Sequence, residues 1–329
     1  MCASAAPELT AGQNKLRVAS GGAQLGPIDK RIVDTWRSDG FVILPGYLSA
    51  EDLAPALGEL ESMFPTPEGF HDGTDSRRAR YVHDEFDGID VFPFASTELS
   101  LLAVHPRVIQ LAEELLGEPD LRIYSAEAWA KYTSATDYDQ DLHRDYLNQT
   151  VLVPSRADQY QQLEMFVFLT DVPEELGPPH LVARTHTAGL PANPNFYPRL
   201  GGSGDFVSAG DHTDLYAVEQ SGAGPAGTVI AFTTNTFHRG TALTKPRGAR
   251  YSMQINYRPA HADWGQRVAW ASRSHRPEWY QFVHRATPRQ LELFGFPPPN
   301  HPFWTPQTLS GMEQRYPDLD LAPWRGDQR

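Results

Sequence analysis

The sequence predicts a mainly β protein with flanking helices, its core a β-sandwich or jelly roll. Three observations lead there. From Leu121 onward the chain breaks into short apolar runs separated by turn residues, a pattern of antiparallel strands rather than of a parallel α/β sheet. Helical spacing of apolar residues is confined to the stretches before and after that region. The 329 residues contain no internal repeat and no low-complexity linker, so one main domain with terminal extensions is expected.

Residues 1–27 are rich in Ala, Gly and Ser with little periodicity, and read as a flexible lead-in. A short helix is expected over Ile28 to Ser38, then a strand at Phe41-Val-Ile-Leu44. Ser49-x-x-Asp52 resembles a capping box, and Leu53, Leu57, Leu60 and Phe64 recur behind it at helical spacing. Another helix runs from Pro106, favoured in a first turn, to Gly117, favoured just past a last one, with Val108, Leu111, Ala112 and Leu115 on its apolar face. Strands follow at Leu121 to Tyr132, Thr150 to Val153, Gln162 to Leu169, Gly227 to Phe232 and Tyr251 to Tyr257. After Pro259 the pattern is helical again, around Pro277 to Arg285, Pro288 to Phe294 and Pro306 to Arg315. The division expected is therefore a main domain over 28–260, with its β core in 121–260, and a helical extension over 261–329 packed on that core.

Composition narrows the function. With 28 Lys and Arg against 41 Asp and Glu the net charge is −13, which opposes the counterion release that drives nucleic-acid binding. DNA, RNA and anionic membrane surfaces are poor partners, and a small molecule is the expected one. The single cysteine, Cys2, rules out an internal disulfide or a thiolate cluster, so a metal would be held by His and carboxylates. The first residues lack a basic, then apolar, leader pattern, and no window approaches a membrane span; a soluble, cytoplasmic protein is expected.

His-x-Asp occurs three times, at His143/Asp145, His212/Asp214 and His261/Asp263. On an extended strand residues i and i+2 project to one face, so such a pair offers an imidazole and a carboxylate to one ion. Two His and one carboxylate on one face of Fe(II) leave three positions open, but the pair needs a distant second His. His143/Asp145 lies between strand-like segments, and Thr236-Phe-His238-Arg-Gly240 follows the later strand Thr228-Val-Ile-Ala-Phe232. His212/Asp214 sits in a Gly-rich stretch, where a turn capped by Asp214 explains it better, and His261/Asp263 begins the C-terminal extension. The metal ligands expected are therefore His143, Asp145 and His238.

The strand after His238 adds a third part. Arg250, Ser252, Gln254 and Asn256 share one face and Tyr251, Met253, Ile255 and Tyr257 the other. The apolar face can pack under helices, while the polar face can line a roll interior with Arg250 aimed at a buried anion. A guanidinium grips a carboxylate with two hydrogen bonds, which suits a dicarboxylate better than a lysine would. Arg239 and Arg247 compete for that inward role.

With these residues in place the chain resembles the phytanoyl-CoA dioxygenase family of Fe(II)- and 2-oxoglutarate-dependent oxygenases, over roughly Asp39 to Pro259. Asp39-Gly-Phe-Val-Ile-Leu-Pro-Gly-Tyr47 is similar to the family's opening strand. His143, Asp145 and His238 match its metal ligands, and Arg250 the arginine that holds the side-chain carboxylate of 2-oxoglutarate. The resemblance implies a double-stranded β-helix, the cupin-like form of jelly roll. It implies Fe(II), 2-oxoglutarate and O₂ as cofactor and cosubstrates, and hydroxylation, desaturation or cyclisation at an unactivated C–H bond of a small molecule, with secondary metabolism as a setting. Lys131 falls where relatives often carry a polar group near the cosubstrate, an exposed strand-end lysine being the plain alternative. Thr241 falls where a hydroxyl often assists the carboxylate, with turn capping as its alternative. Family-like halogenases replace the carboxylate ligand by a small residue, so Asp145 points away from chloride chemistry.

Two departures stand out. Leu142 occupies a position where the family commonly has Trp, and in the stretch Leu176 to His186 only Gly177 and Thr185-His186 correspond well to the family's Asn-Gly segment that ends in Pro-Gly-Ser-His. Two other readings stay open on the residues alone: a jelly-roll Fe(II) oxygenase that does not use 2-oxoglutarate, and a non-catalytic roll that binds a small molecule, its His-x-Asp structural or holding Zn²⁺. Trp129, Tyr146 and Phe166 are the aromatics expected near the mouth, suited to an apolar or ring-bearing substrate.

Overall fold

The structure, a computed structural model, describes residues 26–136, 138–145, 157–188, 206–262 and 276–325. The strand expected at Thr150 to Val153, the residues Tyr146 and Asp263, and the lead-in before residue 26 lie outside them.

Helix α1 (Lys30–Asp39) is capped by Asp29, whose side chain accepts from the Arg31 amide, and ends at Gly40 in the left-handed region at φ 82°. Strand β1 (Phe41–Leu44) follows, fully buried. Helix α2 (Ala50–Met63) begins with the expected capping box, Ser49 and Asp52 each bonding the other's backbone. Three helices that follow are α3 (Pro67–His71), α4 (Thr97–Ala103) and α5 (Pro106–Leu116), the last stopped by Gly117 at φ 66°. The first two of these are too short for periodicity to betray them.

The strands make two antiparallel sheets. The larger has the order β1, β9 (Val229–Thr233), β5 (Leu163–Phe168), β11 (Ala249–Pro259), β3 (Leu121–Tyr132), β2 (Asp90–Val91). The smaller has the order β7 (Phe206–Val207), β4 (Leu142–His143), β10 (Phe237–Arg239), β6 (His180–Val182), β8 (Gln220–Ser221). From β3 to β6 and again from β8 to β11, consecutive strands alternate between the sheets, as in a jelly roll. Phe41, Ile43, Phe168, Ile230 and Phe232 from the large sheet meet Leu181 from the small one and seal one part of the space between them.

The other face of the large sheet carries the main core. Tyr251, Met253, Ile255 and Tyr257 pack with Leu99, Leu102, Val108 and Leu111 of the helices in one apolar cluster, as the alternation on β11 predicts. Their hydroxyls are not stranded: Tyr257 donates to Ala103 O at 2.6 Å and Tyr251 to Pro65 O at 2.6 Å. Trp279, Phe282, Leu291 and Leu309, from helices Pro277–Arg285, Pro288–Glu292 and Pro306–Arg315, belong to the same cluster. The described part of the C-terminal extension thus shares the main core, and the second of these helices stops earlier than its apolar pattern predicts.

One turn is fixed by glycine. Gly227 has φ +79°, and a Cβ there would lie 1.9 Å from Leu48 O. Gly227→Ala is expected to cost about 2–4 kcal/mol, lowering the midpoint of thermal unfolding by roughly 3–6 °C. A calorimetric scan checks this; an unchanged midpoint would mean that the β9 entry turn relaxes freely.

Candidate active site

His143 ends β4 and His238 sits in the middle of β10, and the two are directly paired across the small sheet. The apolar strand expected over Gly227 to Phe232, after which His238 follows, runs Val229–Thr233. The chain then turns and crosses to the other sheet, so His238 comes from a separate strand rather than from a strand end. Asp145 follows two residues after His143, and its carboxylate reaches both rings, at 3.6 Å from His143 Nε2 and 3.4 Å from His238 Nε2. The three ligand atoms lie within 4.8 Å of one another. An ion with bonds of about 2.1 Å at right angles needs its ligand atoms about 3 Å apart, so a small inward adjustment completes a facial triad.

Both imidazoles are oriented for it. His143 Nδ1 is 2.9 Å from Asp141 O and His238 Nδ1 is 3.1 Å from Thr236 O. A carbonyl accepts only, so each Nδ1 carries a proton, which leaves Nε2 as the atom each ring would turn to a metal. Burial would lower His238, but the Asp145 carboxylate outweighs it and raises it. Burial, then the neighbouring His238, pushes His143 down to about 4, which keeps it a neutral ligand. Burial alone would raise Asp145; His238, His143 and a hydrogen bond from Glu164 outweigh it and hold the carboxyl below its ordinary range. Burial, then Asp145, raises Glu164 well above the usual carboxyl range, and its Oε2 also accepts from Gln254 Nε2 at 2.8 Å.

Between the ligands, Arg144 turns away and lays its guanidinium 4.0 Å from the centre of the Phe237 ring. Leu142 is fully buried among Val182, Val207, Leu215 and Phe237. Its side chain therefore fills the apolar cluster beneath the small sheet, and a residue at that position touches the fold rather than the ligand cavity.

A cavity of about 770 Å³, counted to its open mouth, spreads over the triad. Arg250, Ser252 and Gln254 line it, which is the polar face expected of β11. Arg250 is 7% exposed, and its Nε and Nη1 have no hydrogen-bond partner among the described residues. Its competitors are committed elsewhere: Arg239 grips Glu219 at 2.8 Å and Asp139 at 2.7 Å, and Arg247 pairs with Asp72 at the surface. A buried guanidinium with two open donors is a ready receptor for a carboxylate.

Lys131 also lines the cavity and is only 4% exposed, so the alternative of an exposed strand-end lysine is wrong: its side chain points inward, opposite Arg250. Thr241 does not line the cavity; its hydroxyl donates to Pro178 O at 2.7 Å and ties two loops together. The other His-x-Asp pairs make no site among the described residues. His212 precedes a short helix with Asp214 in its first turn, and His261 Nε2 lies 3.1 Å from Gln159 O.

Several lining residues escaped the sequence reading. Phe86 stands at the mouth, edge-on to Trp129 with centroids 6.0 Å apart, and Phe168 joins Phe166 on the wall. Gln140 links the mouth to the metal strand, donating to Glu85 at 2.8 Å and accepting from the Gly240 amide at 3.1 Å. Glu164 was signalled by its place as a carboxylate within the apolar strand Leu163–Phe168. Phe86 lies in an acidic turn with no periodicity to mark it.

The profile of the phytanoyl-CoA dioxygenase family matches residues 36–249, a span that carries the triad and ends one residue before Arg250. The chain belongs to that family. It is accordingly a non-haem dioxygenase that works with Fe(II), 2-oxoglutarate and O₂. Several solved structures share the fold. The epimerase SnoN, in complex with Fe³⁺, alpha ketoglutarate and nogalamycin RO, is 24% identical, with 70% of this chain and 83% of that one covered and a TM-score of 0.50. The carbocyclase SnoK from nogalamycin biosynthesis is 22% identical, with 75% and 93% covered and a TM-score of 0.53. EctD from S. alaskensis, with 2-oxoglutarate and 5-hydroxyectoine, is 18% identical, with 74% and 80% covered and a TM-score of 0.52. No curated protein sequence matches the chain. No helix among the described residues of this dioxygenase is long and apolar enough to cross a membrane.

Proposed function

We propose that His143, Asp145 and His238 hold the Fe(II), that Arg250 binds the distal carboxylate of 2-oxoglutarate, and that Lys131 stands beside it as a second cation. The observation that carries this is the pairing of a converged triad, both Nδ1 protons already spent on carbonyls, with a partnerless buried guanidinium in the same cavity. The iron supplies oxidation of a C–H bond coupled to decarboxylation of the cosubstrate to succinate. The protein positions: Asp141 and Thr236 hold the imidazoles, Glu164 steadies Asp145, and Arg250 fixes the cosubstrate against the cavity wall. Thr241 is a structural tie in this reading, since its hydroxyl already serves Pro178 O.

The substrate is a small molecule whose apolar or ring-bearing part rests on Phe86, Trp129, Phe166 and Phe168. Hydroxylation, desaturation or ring closure fits a site that keeps its carboxylate ligand, and the carbocyclase SnoK has the same fold. Residues 28–260 form the oxygenase domain, with the C-terminal helices as its support. A cytoplasmic location suits Fe(II), which persists in a reducing compartment, and a chain with one cysteine.

The test is anaerobic addition of Fe(II) and 2-oxoglutarate to the full chain. A weak visible charge-transfer band is expected, with succinate formed on admitting O₂ and more of it when a substrate is present. No band and no succinate would overturn the assignment. Turnover that needs no 2-oxoglutarate and survives Arg250→Ala would favour an oxygenase without that cosubstrate.

A further inference from the structure

Lys131 and Arg250 are directly opposite each other on β3 and β11, and both side chains line the same cavity. Two cations buried side by side repel, and the Arg250 Nε and Nη1 have no hydrogen-bond partner among the described residues. The Lys131 ammonium lies instead over aromatic faces, 4.4 Å from the centre of the Tyr138 ring and 5.2 Å from that of Trp129. Those rings replace little of the hydration that a charged amine loses on burial. A lysine in such a place sheds its proton, and an arginine keeps it.

We propose that Lys131 is a proton-coupled part of the cosubstrate site, taking up one proton as the distal carboxylate of 2-oxoglutarate settles between it and Arg250. The inference rests on the proposed cosubstrate site and adds a switch to it. In the free protein a neutral amine relieves the repulsion from Arg250. In the complex the carboxylate restores the ammonium, so the pocket holds two charges only when an anion is there to bind them. The proton comes from solvent and no covalent bond is made or broken.

The electrostatics agree. Burial, then Arg250, brings Lys131 down to about 7, with Glu85 and Asp84 of the mouth turn pulling weakly the other way. The remaining groups around it are Tyr138, itself raised by burial, and His143 of β4, which burial keeps neutral; Ser252 and Phe168, from β11 and β5, bring no charge. The free lysine is lowered from its unfolded value near about 10.4, so above neutrality it is progressively deprotonated and binding must import a proton. Affinity for 2-oxoglutarate then falls as pH rises, by up to about tenfold per pH unit from roughly 7.5 to 9.5.

The experiment is anaerobic titration calorimetry of 2-oxoglutarate into the full chain loaded with Fe(II), at pH 8.5 in buffers of different ionisation enthalpy. The slope of measured heat against buffer enthalpy counts protons. Nearly one proton taken up by the wild type is expected, and about none by Lys131→Met, whose affinity is weaker and flat with pH. Lys131→Arg, charged at every pH, is expected to keep affinity while losing the uptake, and serves if the methionine variant folds poorly. Equal proton counts in the wild type and both variants would overturn the proposal and leave the cosubstrate site standing. Failure of the loaded wild type to bind 2-oxoglutarate at any pH would overturn both.

Discussion

Asp145→Ala is expected to abolish Fe(II) retention, weakening affinity by more than roughly 100-fold, and to remove 2-oxoglutarate turnover. The reason is geometric. Among the described residues Asp145 is the carboxylate that faces both imidazoles, at 3.6 Å and 3.4 Å, and its charge is what makes the cluster attractive to a cation. His143→Ala and His238→Ala are expected to follow it. Metal analysis after dialysis against Fe(II) under anaerobic conditions reads the loss directly, and a thermal scan of the same samples separates it from unfolding. Retention of one Fe(II) per chain in His143→Ala and in His238→Ala would remove this cluster as the metal centre.

Arg250→Met is expected to leave Fe(II) binding intact and to weaken 2-oxoglutarate by roughly 30- to 1,000-fold, the loss of about 2–4 kcal/mol from a charge-assisted bidentate contact. The metal-free protein should be no less stable. Arg250 is buried with two donors unmet, so methionine removes a cost as well as a function. Arg250→Lys should recover only part of the affinity, because a point charge cannot match the two parallel bonds of a guanidinium. Titration of 2-oxoglutarate followed by the charge-transfer band distinguishes these outcomes; wild-type affinity in Arg250→Met would place the carboxylate elsewhere in the cavity.

The two predictions share a separation of roles. The proposed metal ligands come from the small sheet and from Asp145, two residues after His143, whereas Arg250, Lys131 and Gln254 come from the large sheet. The cavity is the gap between sheets where the facing side chains change from apolar to polar. On β5 that change falls between Phe168, packed against Phe41 and Ile43, and Glu164, which reaches Asp145. Each function is therefore accessible to substitution without moving the other.

Local patterns carried much of the fold. The capping box at Ser49, the Pro106 start and Gly117 stop of α5, and the alternation along β11 depend on contacts within a few residues, which a linear reading can see. His143 and Asp145 were visible for the same reason, being two apart on extended chain. Selecting them over the other two His-x-Asp pairs relied on the order of His238 and Arg250 behind them. Less was legible where partners are distant. Phe86 reaches the mouth from a turn far from the strands it covers, and Lys131 reads like any surface lysine until Arg250 is set opposite it.

By itself the sequence determined the kind of chemistry: a triad of two imidazoles and a carboxylate, an arginine for a dicarboxylate, and a β roll to hold them. The tertiary structure decided which strands bring His143 and His238 together, that the Thr241 hydroxyl donates to Pro178 O, and that Lys131 is buried opposite Arg250. The physical reason is range. Strand periodicity and capping are set by neighbours along the chain, while burial, and with it the charge a side chain can keep, is set by residues that only folding brings near.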